Sequence, residues 1–267
     1  MRAYRVAYDG TTFRGFQRQP DVPTVEGALF GALAALGVYD PDEHRPEGYA
    51  AAGRTDAGVS ATAQTVALAA PDWLTPRALN AELPADVRAW AAAEAPDRFH
   101  ATHDAAAREY TYHLHAPAAD AARARRALAA LAGPHDVHNL TPDGRDTERT
   151  LATDLTVDGP YFVVTVRAGG FSRELVRRIV GLVAAVARGE RAESFVDRVL
   201  SDERLSGPDG VAPAAPEPLV LTAVDYSGPD LRFRRDAEAA ASAREVFEAR
   251  RIERTTGARV AGLLADR

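Results

Sequence analysis

The residues best suited to do chemistry lie in one short segment, Gly53-Arg54-Thr55-Asp56-Ala57-Gly58-Val59. Two glycines flank a charged pair, and glycine permits a tight or positive-φ backbone and the close approach of a ligand. A carboxylate on such a turn, two residues from an arginine, stays ionised and can serve as nucleophile or base. The same residues also suit a plain Asx turn, in which Asp56 bonds its own backbone ahead of a glycine. A second segment, Tyr8 to Gln19, places aromatics, Arg14, Arg18, Gln17 and Gln19 around Gly10 and Gly15. Arginines suit phosphates, rings suit unstacked bases and amides suit base edges. A loop of this composition is also ordinary protein surface.

Other chemistries find little support. The pairs His100/His103, His113/His115 and His135/His138 stand in no metalloprotease spacing, and the chain has no cysteine to supply a thiolate. No catalytic metal is therefore expected, and neither a phosphate-binding glycine loop nor a dinucleotide fingerprint occurs. A hydrolase with paired carboxylates would need a second acid beside Asp56, and the sequence offers no clear candidate.

Several elements must hold these residues in place. Arg2 to Tyr8 reads as a strand broken by Asp9-Gly10. Thr24 caps a helix running to Leu36 and stopped by Gly37. Tyr49 to Ala52 and Ala63 to Ala69 read as strands around the Asp56 turn. Thr75-Pro76 opens a second helix to about Leu83, and Val87 to Glu94 closes the unit as a strand. The order is β-α-β-β-α-β, the ferredoxin-like pattern. It recurs loosely downstream: a strand over Arg108 to His115, a helix over Asp120 to Ala132 ended by Gly133-Pro134, and a hairpin of Thr147 to Val157 with Tyr161 to Ala168. A helix over Ser172 to Arg188, a short one over Ser194 to Leu200 and a strand over Leu219 to Tyr226 complete it. The fold class expected is α+β: two ferredoxin-like, RRM-like subdomains with mixed, mostly antiparallel sheets forming a central cleft. The expected division is 1–104, carrying the Asp56 loop, 105–228, and a helical tail over 229–267 packed on or extending from the second domain. Within the tail, the alanine- and charge-rich Ala237 to Arg254 reads as a helix, either a solvated one or an arm that touches a partner.

The 267 residues carry a formal net charge of -6. All basic residues are arginine, as a GC-rich genome would favour, and an acidic lysine-free surface would also suit a high-salt cytoplasm. Zero cysteine excludes a disulfide scaffold, thiolate zinc, iron–sulfur ligation and a cysteine nucleophile. No apolar run approaches membrane-spanning length, and Met1 to Arg5 leads directly into a strand, so a soluble cytoplasmic protein is expected. Net negative charge argues against nucleic-acid binding, because phosphate contacts need positive patches. The charge is uneven, however: residues 1–18 carry +3 and residues 163–191 carry +4.

The Tyr8 to Gln19 segment followed by Thr24-Val25-Glu26, together with Gly53 to Val59, resembles the tRNA pseudouridine synthase A family. Further segments fit in order: Arg98-Phe99-His100-Ala101, Arg108-x-Tyr110-x-Tyr112, Gly133-Pro134-His135-Asp136, and Phe171 through Val176-Arg177-Arg178-Ile179-Val180-Gly181. The resemblance spans about residues 4 to 226. It implies an enzyme that isomerises uridine to pseudouridine in the anticodon stem-loop of tRNA, commonly at positions 38, 39 and 40, without cofactor or metal. It also implies a homodimer. Asp56 matches the catalytic aspartate, Tyr110 the tyrosine packed on the target uracil, and Arg54 and Arg177 the arginines of the site. Arg108, Gln17, Arg14 and Phe171 are expected among the substrate-binding residues. Whether Asp56 attacks C1′ or abstracts the 2′-proton is open, and an idle RNA-binding protein on the same fold is the alternative. Ser60 and Ser172-Arg173-Glu174 depart from the family pattern, which affects the secondary RNA contacts.

Overall fold

The structure is a computed structural model that describes residues 1–227 and 231–265. The first half runs β1 (Arg2–Tyr8), α1 (Val25–Ala35), β2 (Ala50–Ala51), β3 (Ser60–Leu68), α2 (Pro76–Glu82) and β4 (Val87–Glu94). The second runs β5 (Ala105–His115), α3 (Ala121–Leu131), β6 (Gly133–Asp136), β7 (Glu148–Asp158), β8 (Tyr161–Ala168), α4 (Leu175–Ala187), α5 (Phe195–Val199) and β9 (Leu219–Tyr226). A short β10 (Arg234–Arg235) and α6 (Ala237–Ala265) follow. The α+β class holds; the first half keeps the β-α-β-β-α-β order, while the second departs from it by the extra strand β6 and the extra short helix α5.

Local chemistry explains the helix starts. The Thr24 side chain accepts the Gly27 amide at α1, and Thr75 accepts the Ala78 amide ahead of Pro76 at α2. Each satisfies an amide that the helix itself leaves without an acceptor. The expected helix from Ser172 begins later, at Leu175, because Glu174 stands at φ 60 and turns the chain first. One strand was not foreseen. Gly133, at φ 99, redirects the chain so that Gly133–Asp136 pairs with β7 at the sheet edge. Pro134 is tolerated there because an edge strand need not donate on both sides.

The two halves share one ten-stranded sheet, ordered β10-β4-β1-β3-β9-β5-β8-β7-β6, with β2 on β3. Its ladders are antiparallel except at the seam, where β3 and β9 run parallel through Ser60↔Val220 and Ala61↔Leu221. On its other side Leu221 pairs with Tyr110 of β5. β9 is therefore the spacer between the strand that begins just after the Asp56 turn and the strand that carries Tyr110. Strands neighbour at about 4.8 Å, so the two outer strands are separated by about 10 Å across β9. One apolar core runs continuously through both halves, joining Tyr4, Val6, Leu29 and Leu33 to Tyr110, Tyr112, Ile179 and Val183.

The tail helix lies on the first half, not the second: α6 packs on β4 and α2. The Asp236 amide bonds the Trp90 carbonyl, Arg250 pairs with Asp86 at 2.9 Å, and Arg254 pairs with Asp9. The cause is β10, which adds to β4 at the edge of the first half before α6 begins.

The Tyr8 to Gln19 loop is pressed against the Asp56 turn. A Cβ on Gly10 would lie 2.0 Å from the Val59 carbonyl oxygen. Gly15, at φ +102, would bring one to 3.2 Å from the Thr55 oxygen. Gly10→Ala should therefore destabilise the chain by roughly 1–3 kcal/mol, as overpacking does. Gly31→Ala, in α1 with nothing within 4 Å of its Cβ position, should stabilise it by about 0.5–1 kcal/mol. Urea midpoints check the pair, and equal shifts would contradict the packing.

Candidate active site

A cleft of about 1220 Å³ opens between the Asp56 turn, the Arg14 to Gln19 loop, Tyr110 and the start of α4. The turn that presents Asp56 is closed by a bond from the Val59 amide to the Asp56 carbonyl at 3.1 Å. Its other side is held from beneath. The Gln64 side chain donates to the Gly53 carbonyl at 2.7 Å and accepts from the Gly53 amide at 3.4 Å. The buried Tyr8 hydroxyl meets the Thr55 hydroxyl at 2.8 Å. Gly10 donates its amide to Ser60 Oγ at 3.0 Å, so serine at this departure from the family pattern ties the loop to the turn. These contacts fix the backbone and leave the Asp56 side chain 39 % exposed at the cleft.

Arg177 reaches that carboxylate from the other half. Its Nη1 lies 3.2 Å from Asp56 Oδ2, and its Nε donates to the Ala214 carbonyl at 2.7 Å. Ala214 returns its amide to the Arg177 carbonyl at 2.9 Å. The segment can lie this close because Gly181 stands one turn on in α4, where a Cβ would meet the Ala212 oxygen at 2.3 Å. A partly solvated ion pair of this kind adds roughly 0–1 kcal/mol to stability, so its effect is to fix position.

Tyr110 forms the apolar wall. It is 8 % exposed, and its ring meets Phe171 edge-to-face at 5.0 Å and 81°, a favourable arrangement. Burial holds its hydroxyl neutral, pushing the pKa up, and the nearby Tyr8 and Asp56 act in the same direction against Arg108. The turn passes beside that hydroxyl: a Cβ on Gly53 would lie 3.8 Å from it, at ordinary contact distance.

The expected substrate-binding residues divide into two kinds. Arg14, Gln17 and Arg54 are exposed on the cleft lining, and among the described residues Arg14 and Arg54 form no ion pair. Their guanidinium forks are open to a phosphate. Arg108 also lines the cleft, but its donors are taken by the carbonyls of Ala52 at 2.7 Å, Thr102 at 2.5 Å and Gly169 at 2.6 Å. It ties the strand end before Gly53 to the loop before Phe171, and burial lowers its pKa. Sequence reasoning missed Gln64 and the Ala212 to Ala214 segment. Gln64 had a signal, since it is a polar residue in step with Val66 and Leu68 on the core face of β3. The segment had none, because its contact with α4 joins residues far apart in sequence.

Among the described residues no group of three or more His, Cys, Asp or Glu is arranged to hold a metal ion, and no helix is long and apolar enough to cross a membrane. The arrangement is a solvated carboxylate on a rigid turn, an arginine against it, an aromatic platform beside it and open arginines on the rim. Such a site suits a base taken out of a nucleic-acid stack. The family model for tRNA pseudouridine synthase matches residues 127–227. A tRNA pseudouridine synthase A of Natronomonas pharaonis is 64% identical over 267 residues, covering 99% of each chain. One of Haloarcula marismortui is 59% identical over 275 residues, covering 100% of this chain and 99% of its own. Another, of Methanothrix thermoacetophila, is 38% identical over 243 residues, covering 88% and 85%. The chain belongs to the tRNA pseudouridine synthase A family, whose members are isomerases.

The buried phenols give a pH signature. Burial raises the Tyr8 pKa from 10.0 to about 12, against the Thr55 and Gln64 bonds that lower it. Tyr226 is also raised to about 12, by burial first. The unfolded phenols ionise at the lower value, so their contribution to stability is complete below pH 10.0 and is lost as pH rises through about 12. Denaturation midpoints should fall across that interval, and a flat profile would contradict the burial of these groups.

Proposed function

We propose that the chain acts on the anticodon stem-loop of tRNA, at positions such as 38, 39 and 40, with Asp56 as the reacting carboxylate and Tyr110 as the platform for the target uracil. The contact between Asp56 and Arg177 across the cleft carries this reading: it holds one carboxylate in a fixed place, open to a substrate. The reaction breaks the N1–C1′ bond of uridine and joins C5 to C1′, so the C5 proton leaves to solvent. A base in a stem is out of reach until it flips from the stack. Asp56 then either attacks C1′ or takes the 2′-proton, and either step gives a detached uracil bearing negative charge. Arg177 is positioned to stabilise that charge within a partly desolvated wall. Arg54 and Arg14 on the rim suit backbone phosphates. A homodimer and a cytoplasmic location belong to the same reading, and sedimentation tests the first.

The decisive assay uses tRNA carrying tritium at uridine C5. Wild type should release tritium and Asp56→Ala should release none, while Tyr110→Ala should lose at least about 100-fold, as misplaced groups do. Equal release from wild type and Asp56→Ala would remove Asp56 from the mechanism. Binding of tRNA with no release from wild type would favour the idle RNA-binding alternative. For the rim, Arg54→Ala should weaken tRNA binding and reduce the slope of log affinity against log salt by about one. An unchanged slope would take Arg54 off the phosphates.

A further inference from the structure

Two features of the α4 end lack a partner. Ser172 is 7 % exposed, and among the described residues its hydroxyl has no hydrogen-bond partner. A buried hydroxyl left unmet is costly, and such groups mark places where a ligand completes the bonding. The second feature is the helix start itself. α4 spans 13 residues and has no side-chain cap, because Glu174 occupies that position at φ 60. The Leu175 amide uses the Ser172 carbonyl at 3.2 Å and the Arg178 amide uses that of Glu174 at 2.9 Å. Among the described residues the Val176 and Arg177 amides have no acceptor. Unpaired amides and the helix dipole together favour an anion at this end.

The two features share one place, since residues 170–177 line the cleft without a break. The acids around them are already matched. Glu174 pairs with Arg178 at 2.8 Å, Asp56 with Arg177 at 3.2 Å, and Asp143 with the Arg173 amide at 2.9 Å. A further anion entering the cleft therefore meets no unpaired carboxylate here. Arg14 and Arg54, which form no ion pair among the described residues, line the same opening.

We infer that the Ser172 hydroxyl and the free amides at the start of α4 hold a backbone phosphate of the RNA, at the target nucleotide or its immediate neighbour. This rests on the reading of the cleft as the RNA site. Ser172 follows Phe171, whose ring meets Tyr110 at 5.0 Å, so the subsite adjoins the base platform. It makes Ser172 a substrate-binding residue, although it stands where the sequence departs from the family pattern.

Two binding measurements test the subsite, and neither depends on which group reacts. In the first, inorganic phosphate should raise the melting temperature of the full chain above that in sodium chloride of equal ionic strength. Ser172→Ala should lose most of that rise. In the absence of phosphate Ser172→Ala should melt no lower than wild type, because no hydrogen bond is lost; a lower value would make the hydroxyl structural and overturn the subsite. In the second, anticodon stem-loop RNAs with single phosphates replaced by neutral methylphosphonates are bound to both proteins. One position should cost wild type roughly tenfold in Kd, about the effect of a hydrogen bond to a charged group. The same replacement should cost Ser172→Ala little. Additive effects at every position overturn the proposal, and if phosphate alone responds the site holds an adventitious ion only. Should Ser172→Ala fail to fold, Ser172→Cys keeps the volume with a weak donor, and the same outcomes apply. Loss of tritium release in Asp56→Ala is read separately, so a failure of the catalytic reading is distinguishable from a failure of the subsite.

Discussion

The contact between Arg177 and Asp56 is the constraint on which the site depends. It joins a turn of the first half to a helix of the second, at 3.2 Å. Its energetic yield is small, since a pair this close to solvent contributes roughly 0–1 kcal/mol. Its geometric yield is large, since a displacement of about 1 Å at a reacting group can cost a factor of about 100 in rate. The surrounding structure is arranged to hold that distance. Gln64 and Tyr8 brace the turn from below, and the Gly10 and Gly15 contacts brace it from the side. On the facing wall, Ala214 locks the Arg177 backbone and guanidinium at once.

The sheet gives these braces a common frame. With β9 inserted between β3 and β5, the Asp56 turn and Tyr110 are referred to the same strand, through Ala61↔Leu221 and Leu221↔Tyr110. The cleft is then set by hydrogen-bond register more than by loop preference. Arg108 extends the same logic. Buried among carbonyls, it fastens the strand end that leads to Gly53 and the loop that carries Phe171, so a residue expected to bind substrate instead shapes the platform.

Local pattern made most elements legible. The strands Tyr161–Ala168 and Leu219–Tyr226 and the caps at Thr24 and Thr75 follow from alternation, turn residues and side-chain oxygens at helix starts. Pattern is silent about contacts between distant residues. The parallel seam, the return of α6 to β4 and the Ala214 clamp each join residues more than thirty positions apart, and nothing in their immediate sequence marks them. β6 escaped because Gly133-Pro134 spells a helix stop, and a stop does not say what the chain does next. Within the site, the motif residues Asp56, Tyr110 and Arg177 are brought together. Ser60 acts through a contact its local sequence does not mark, its hydroxyl accepting from the Gly10 amide.

Net charge was a poor guide for a related reason. At -6 the chain is acidic overall, yet the cleft lining carries Arg14 and Arg54, which have no acidic partner among the described residues, while many outer arginines are neutralised by neighbours such as Glu193, Glu203 and Glu248. Catalysis in this cleft depends on where a flipped uridine comes to rest. A crystal structure of Asp56→Asn bound to a tRNA substrate tests it most directly. The target uridine should lie out of the stack with its base on Tyr110 and its C1′ about 3–3.5 Å from the residue 56 side chain. A uridine still stacked in the stem, or RNA seated on the opposite face of the sheet, would contradict the account.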